Sequence, residues 1–151
     1  MFRKAFTLYA DQIAMPDTIR KPFCAELKRW DHSPRDAAKV AEKYLSTFDF
    51  TWPDGLVFLR EYQGRRGTFK QLAALFAGCV YSKHRFFDQF EMAKRTSRAF
   101  PNLILSRGPV MQSCPIHGDK EGIILPVYDN YWQEYPLRES VFCRCRVRQT
   151  K

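Results

Sequence analysis

No run of roughly 18 apolar residues occurs in the chain, so no membrane-spanning helix and no membrane partner are expected. The opening MFRKAFTLYADQIAMP is too polar for the apolar core of a secretion signal. Without such a signal, five cysteines argue against a disulfide scaffold and favour reduced thiols or a metal. No P-loop, dinucleotide fingerprint or convincing pair of carboxylates is present. Cys114 and His117 are close enough in sequence for a nucleophile pair, with Asp119, Glu121 and Asp129 nearby. No recognisable oxyanion hole accompanies them, so no enzymatic activity is expected. Internal repeats and low-complexity segments are also absent.

The chain does have charge and rings. Its 25 Lys and Arg against 16 Asp and Glu give a formal charge of +9, which favours nucleic acid or an acidic protein surface as partner. The basic residues recur in KHR at 83–85, KRTSR at 94–98 and RCRVRQTK at 144–151. The 13 Phe and 7 Tyr suit either a buried core or an aromatic interface. A length of 151 residues fits one domain of ordinary size.

The pattern predicts an α+β chain: helical over the first two thirds, with a small β-rich end. The boundary is drawn between 1–99 and 100–151, and residues 1–21 read as either a short helix or an arm. Pro22 is expected to open a short helix through Trp30. Ser33 as cap, Pro34 at N1 and Asp36 at N3 then start a helix to about residue 47. WPDG at 52–55 is a turn, and 56–62 a strand or helical turn. QGRRG at 63–67 offers Arg65 and Arg66 to a phosphate, or is a plain loop. Thr68 and Gln71 form a capping box before one long helix, or two joined near 81–84. Gly78 inside it suggests close packing or a kink. His84 is expected at the surface, and Cys24 and Cys79 in the core. Strands are predicted at 102–107, 122–128 and 141–147.

Cys114 and His117 have the spacing of a chelating turn, and Cys143 and Cys145 form a C-x-C pair. Three thiolates and an imidazole are a usual donor set for a closed structural zinc site. On a strand, residues i and i+2 face one side, so Cys143 and Cys145 suit two ligands equally well as two small packed hydrophobes. A disulfide from Cys114 to one of them is the third option. Such a strand would also set Arg144, Arg146 and Arg148 on the opposite face, as phosphate or interface candidates.

The string CPIHGDKEGIILPVYDNYWQEYPLRESVFCRCRV resembles the C-terminal motif of the phage Mu F-like minor head proteins, a group that includes the SPP1-type head morphogenesis proteins. The likeness spans about 98–148 and rests on Cys114, His117, Gly122, Pro126, Asp129, Trp132, Tyr135, Pro136, Cys143, Arg144, Cys145 and Val147. Where the family commonly has a double proline and an asparagine before CRC, this chain reads YPLRES. The resemblance implies a structural minor capsid protein of a tailed phage, acting in head assembly near the portal. Portal, major capsid protein and double-stranded DNA are the partners it implies. The implied location is the capsid interior or the portal and neck region, with host cytoplasm during assembly. Gly122, Pro126, Trp132 and Pro136 would be its structural residues, and Trp132 and Tyr135 its large anchors.

Overall fold

The computed structural model describes residues 1–50, 69–108 and 113–151 of the chain. Arg65, Arg66, the 52–55 turn, the 56–62 segment and the Thr68 cap lie outside the described residues. The fold is α+β, helical in the first two thirds with a small β-rich C-terminal end. The chain divides into two compact units, Met1–His84 and Arg85–Lys151. That division falls inside the long helix, upstream of the change in character at 99/100.

The N-terminal unit carries α1 (Phe2–Gln12), α2 (Asp17–Arg29), α3 (Pro34–Leu45) and the first part of α4 (Phe69–Arg95). In α1, Phe2, Ala5, Phe6, Tyr9 and Ala10 recur at helical spacing and are all buried. The first residues are therefore a packed helix. Phe6 meets Phe23 edge-on at 5.1 Å, and Phe23 stacks on Tyr44 at 4.7 Å. The aromatic wealth of this half thus builds a core.

Pro22 does not open α2 but sits inside it. Pro16 and Asp17 begin the helix, and burial of Phe23 and Leu27 offsets the backbone bond that Pro22 cannot donate. Ser33 makes no capping bond. Its hydroxyl instead donates to the Asp36 carboxylate at 2.5 Å, and this bond, with Lys39, holds Asp36 below its ordinary pKa. The buried stripe of α3 is Ala37, Val40, Ala41 and Leu45.

α4 is one continuous helix of 27 residues. Gly78 marks no close approach, because a Cβ there would meet nothing within 4 Å. His84 is half-buried, its ring edge-on to Phe2 at 5.4 Å, which corrects the surface expectation. Cys79 is buried as expected, whereas Cys24 is half-buried.

The C-terminal unit holds a three-stranded antiparallel sheet in the order β2-β1-β3, formed by β1 (Asn102–Ser106), β2 (Ile124–Pro126) and β3 (Arg146–Thr150). Leu103 pairs with Gln149 and Leu105 with Val147. Alternation puts Leu103, Leu105 and Val147 on the buried face, in one cluster with Phe86, Ala93, Val127, Trp132 and Leu137. Gln89 donates to the Val147 carbonyl at 2.8 Å, tying the last turns of α4 to β3. The single-turn helix α5 (Tyr131–Glu134) carries Trp132, and the Asp129 carboxylate accepts from the Tyr131 amide at 2.9 Å to start it.

The third strand begins later than predicted, at Arg146 and not at 141. The Ser140 carbonyl accepts from the Cys143 amide at 3.1 Å, so the backbone turns there. Cys143 and Cys145 consequently lie in the loop that enters β3.

Candidate metal centre

Two loops supply the four predicted donors. The first is the CPIHG turn, closed by the Gly118 amide donating to the Cys114 carbonyl at 2.8 Å. Such closure brings Cys114 and His117 to one side of the turn. The second is the 143–145 segment. Gly108 at the end of β1 makes room for it: a Cβ there would stand 2.0 Å from the Arg144 carbonyl oxygen.

The donor atoms of Cys114, His117, Cys143 and Cys145 all lie within 4.8 Å of one another, and all four residues are buried. His117 Nδ1 is 3.4 Å from the Cys114 sulfur and 3.5 Å from that of Cys143. A tetrahedral zinc with ordinary bond lengths separates its sulfur and nitrogen ligands by about 3.6 Å. These two spacings fit the metal, and the other pairs, at no more than 4.8 Å, would close onto it. All five cysteines of the chain are free thiols.

The groups behind the donors also fit. His117 Nε2 lies 3.0 Å from the Tyr135 carbonyl. A carbonyl only accepts, so Nε2 carries a proton, and Nδ1 is the nitrogen left to offer a lone pair to a metal among the cysteines. Metal-bound histidines are oriented in this manner. The Arg138 amide donates to the Cys143 sulfur at 3.2 Å, and Arg138 Nε donates to the Cys145 carbonyl at 3.1 Å. The group that orients His117 is thus a backbone carbonyl, and Asp119, Glu121 and Asp129 do not take that place.

Without metal the four groups share protons. Burial pulls the His117 pKa down, but its bonds to Cys143, the Tyr135 carbonyl and Cys114 more than offset this, leaving it at about 9. Cys143 moves far below its ordinary 9.0, first through the hydrogen bond from Cys145, with His117 and the Arg138 amide adding to it against burial. Cys145 moves up, because it donates to Cys143 and is buried. One thiolate is therefore already favoured beside a protonated imidazole, and a dication would draw off the two remaining thiol protons and the Nδ1 proton of His117.

The remaining predicted residues fall around this centre. Trp132 is buried, and its Nε1 donates to the Pro126 carbonyl at 2.8 Å. Gly122 has φ +87°, in the left-handed region that glycine permits, and its amide donates to the Leu105 carbonyl. Pro136 is half-buried. Tyr135 is not a buried anchor: its side chain is 46% exposed, and its contribution is the carbonyl facing His117. Arg146 and Arg148 are exposed on β3 with Val147 buried between them, while Arg144 is half-buried ahead of the strand.

Sequence reasoning missed Arg138 and the roles of Gly108 and the Tyr135 carbonyl. The need for a bare Cα at Gly108 against Arg144 depends on a contact 36 positions away in the chain. Nothing in the sequence marks Arg138 for its left-handed backbone, with φ +58°.

No family model, no curated protein and no solved structure matches this chain.

Proposed function

We propose that the C-terminal unit is a zinc-stapled, non-catalytic module, and that the chain binds nucleic acid. The observation that carries the metal half is the convergence of Cys114, His117, Cys143 and Cys145, all buried, with their donor atoms within 4.8 Å of one another. Four protein ligands leave no coordination position for water or substrate, which suits folding and not hydrolysis. A unit of this size gains much from such a staple. The +9 charge and the exposed Arg146 and Arg148 support the nucleic-acid half. Natively purified protein should contain about one zinc per chain. Its affinity for duplex DNA should be measurable at low salt and fall steeply as salt rises. Protein isolated without metal, or without duplex binding at low salt, overturns the corresponding half.

A second reading places this module in the head of a tailed phage as a minor structural protein, contacting portal or capsid shell as well as packaged DNA. It is favoured by the positions taken by the residues that carry the Mu F-like resemblance. Gly122 supplies a left-handed turn, Trp132 is tied to Pro126, and Cys114, His117, Cys143 and Cys145 converge. Quantitative mass spectrometry of purified particles tests it. Copies comparable with the portal protein or fewer support a minor head component, hundreds per particle indicate a shell protein, and absence from particles removes the reading.

A further inference from the structure

Arg138 holds a backbone conformation that residues with side chains seldom take, at φ +58°. Such a residue persists where its surroundings over-determine it. Here its amide is held by the Cys143 sulfur and its Nε by the Cys145 carbonyl. Both anchors belong to the loop that supplies two of the four metal ligands. Arg144 stands between those two ligands, and Arg146 follows them directly.

Three arginines thus surround Cys145: Arg138 is bonded to its carbonyl, and Arg144 and Arg146 are its neighbours in the chain. A zinc with three thiolates and a neutral imidazole carries one net negative charge, so it offsets one of the three. Neither Arg144 nor Arg146 forms an ion pair with a described carboxylate. By contrast, Arg107 is paired with Glu121 at 3.2 Å.

We infer that Arg138, Arg144 and Arg146 form a phosphodiester-binding site, shaped by the metal loop, that grips the backbone of a nucleic acid. This rests on the zinc-stapled, nucleic-acid-binding reading and names the residues that carry it. The planar guanidinium fork matches phosphate oxygens two at a time. Contacts of this kind fix position on the strand and carry no base sequence. Arg148, exposed two residues further along β3, extends the basic track. Metal ties Cys143 and Cys145 to the CPIHG turn and thereby fixes the backbone of Arg144 between them, so the anion site is present only when the metal is.

The test titrates the zinc-loaded full chain against a fluorescent DNA duplex over a salt series. Arg144→Gln combined with Arg146→Gln should weaken binding about tenfold or more at low salt and flatten the slope of log affinity against log salt by about two. Arg146→Gln alone, an exposed position outside the ligand pair, should flatten it by about one. Arg35→Gln combined with Lys39→Gln removes the same charge from the N-terminal unit and should leave the slope unchanged. Stripping zinc with a chelator should reproduce the loss, and added zinc should reverse it. Equal losses in the two double variants would show a bulk charge effect and overturn the site while the nucleic-acid reading stands. Full affinity in verified zinc-free protein would overturn the dependence on metal. Tighter binding to polyglutamate than to duplex would replace the phosphodiester with an acidic protein segment and overturn the inference. No duplex binding by the unaltered protein would remove the parent reading itself.

Discussion

The imidazole of His117 and the carbonyl of Tyr135 face each other across 3.0 Å, and this contact decides which ring nitrogen meets the three sulfurs. With Nε2 committed as donor, Nδ1 points between Cys114 and Cys143. The fold thus holds the ring in its ligating orientation through a backbone group that no side-chain substitution at 135 removes.

Removal of the metal should expose how much of the C-terminal unit depends on it. A ligand present at a thousandfold excess over its dissociation constant stabilises by about 4 kcal/mol. Chelation should therefore lower the thermal midpoint, and zinc should restore it. His117→Ala should abolish both the zinc content and the response to chelator. Identical melting curves with and without chelator, in protein whose zinc content is known, would remove the staple from the account.

The sign of the pH dependence should differ between the two forms. In metal-free protein the raised pKa of His117 stabilises fully below the ordinary 6.5, and this is lost as pH rises to about 9. The lowered pKa of Cys143 acts oppositely, its contribution growing with pH up to the ordinary 9.0. Folded thiolate and imidazolium together hold one proton, and so do unfolded thiol and imidazole, so stability should be nearly flat between pH 6.5 and 9. Zinc-loaded protein holds three thiolates where the unfolded chain holds thiols, so its stability should climb over the same window. Urea midpoints at the two ends of that range measure both slopes. A climb in the metal-free form would show that the proton is not shared as described.

Trp132 combines burial with one polar obligation. Trp132→Ala should cost about 3–5 kcal/mol through the cavity it leaves in the cluster of Leu103, Val127 and Val147. Trp132→Phe keeps most of the apolar contact but orphans the Pro126 carbonyl that Nε1 satisfies, at a cost of about 1–3 kcal/mol. Chemical denaturation of both variants separates packing from the hydrogen bond. Equal costs would mean that the hydrogen bond dominates.

The four donors were legible because side-chain chemistry and spacing announce a ligand set directly. The α+β division was legible because helical periodicity stops near Phe100 and short apolar runs follow. The entry to β3 was not, because VFCRCRV alternates like a strand while its backbone turns at Ser140. Burial does alternate from Cys143 to Arg148, so the pattern was real but the hydrogen-bond ladder covers only part of it. Pro22 misled because proline ordinarily marks a first turn, and here tertiary burial of Phe23 and Leu27 overrides that preference. Arg138 was invisible because its conformation comes from sulfur and carbonyl partners that only the folded loop assembles.

Gly108 ties strand and metal loop together most directly. An alanine there would place its Cβ 2.0 Å from the Arg144 oxygen and 2.8 Å from both the Arg144 carbonyl carbon and Cβ. Those atoms are backbone or close to it, so the loop must move and cannot simply rotate a side chain aside. Overpacking of this kind costs about 1–3 kcal/mol. The displaced segment is the one carrying Cys143 and Cys145, so Gly108→Ala should also weaken zinc binding by about 10–100-fold, the scale seen when groups behind a metal ligand are disturbed. Gly78→Ala is the matched control, since a Cβ there meets nothing within 4 Å and the residue lies inside α4. It should stabilise by about 0.5–1 kcal/mol and leave zinc affinity untouched. Competition against a chromogenic chelator reads the affinities, and urea denaturation reads the stabilities. Unchanged zinc affinity in Gly108→Ala would mean that the 143–145 loop does not need this approach to hold its ligands.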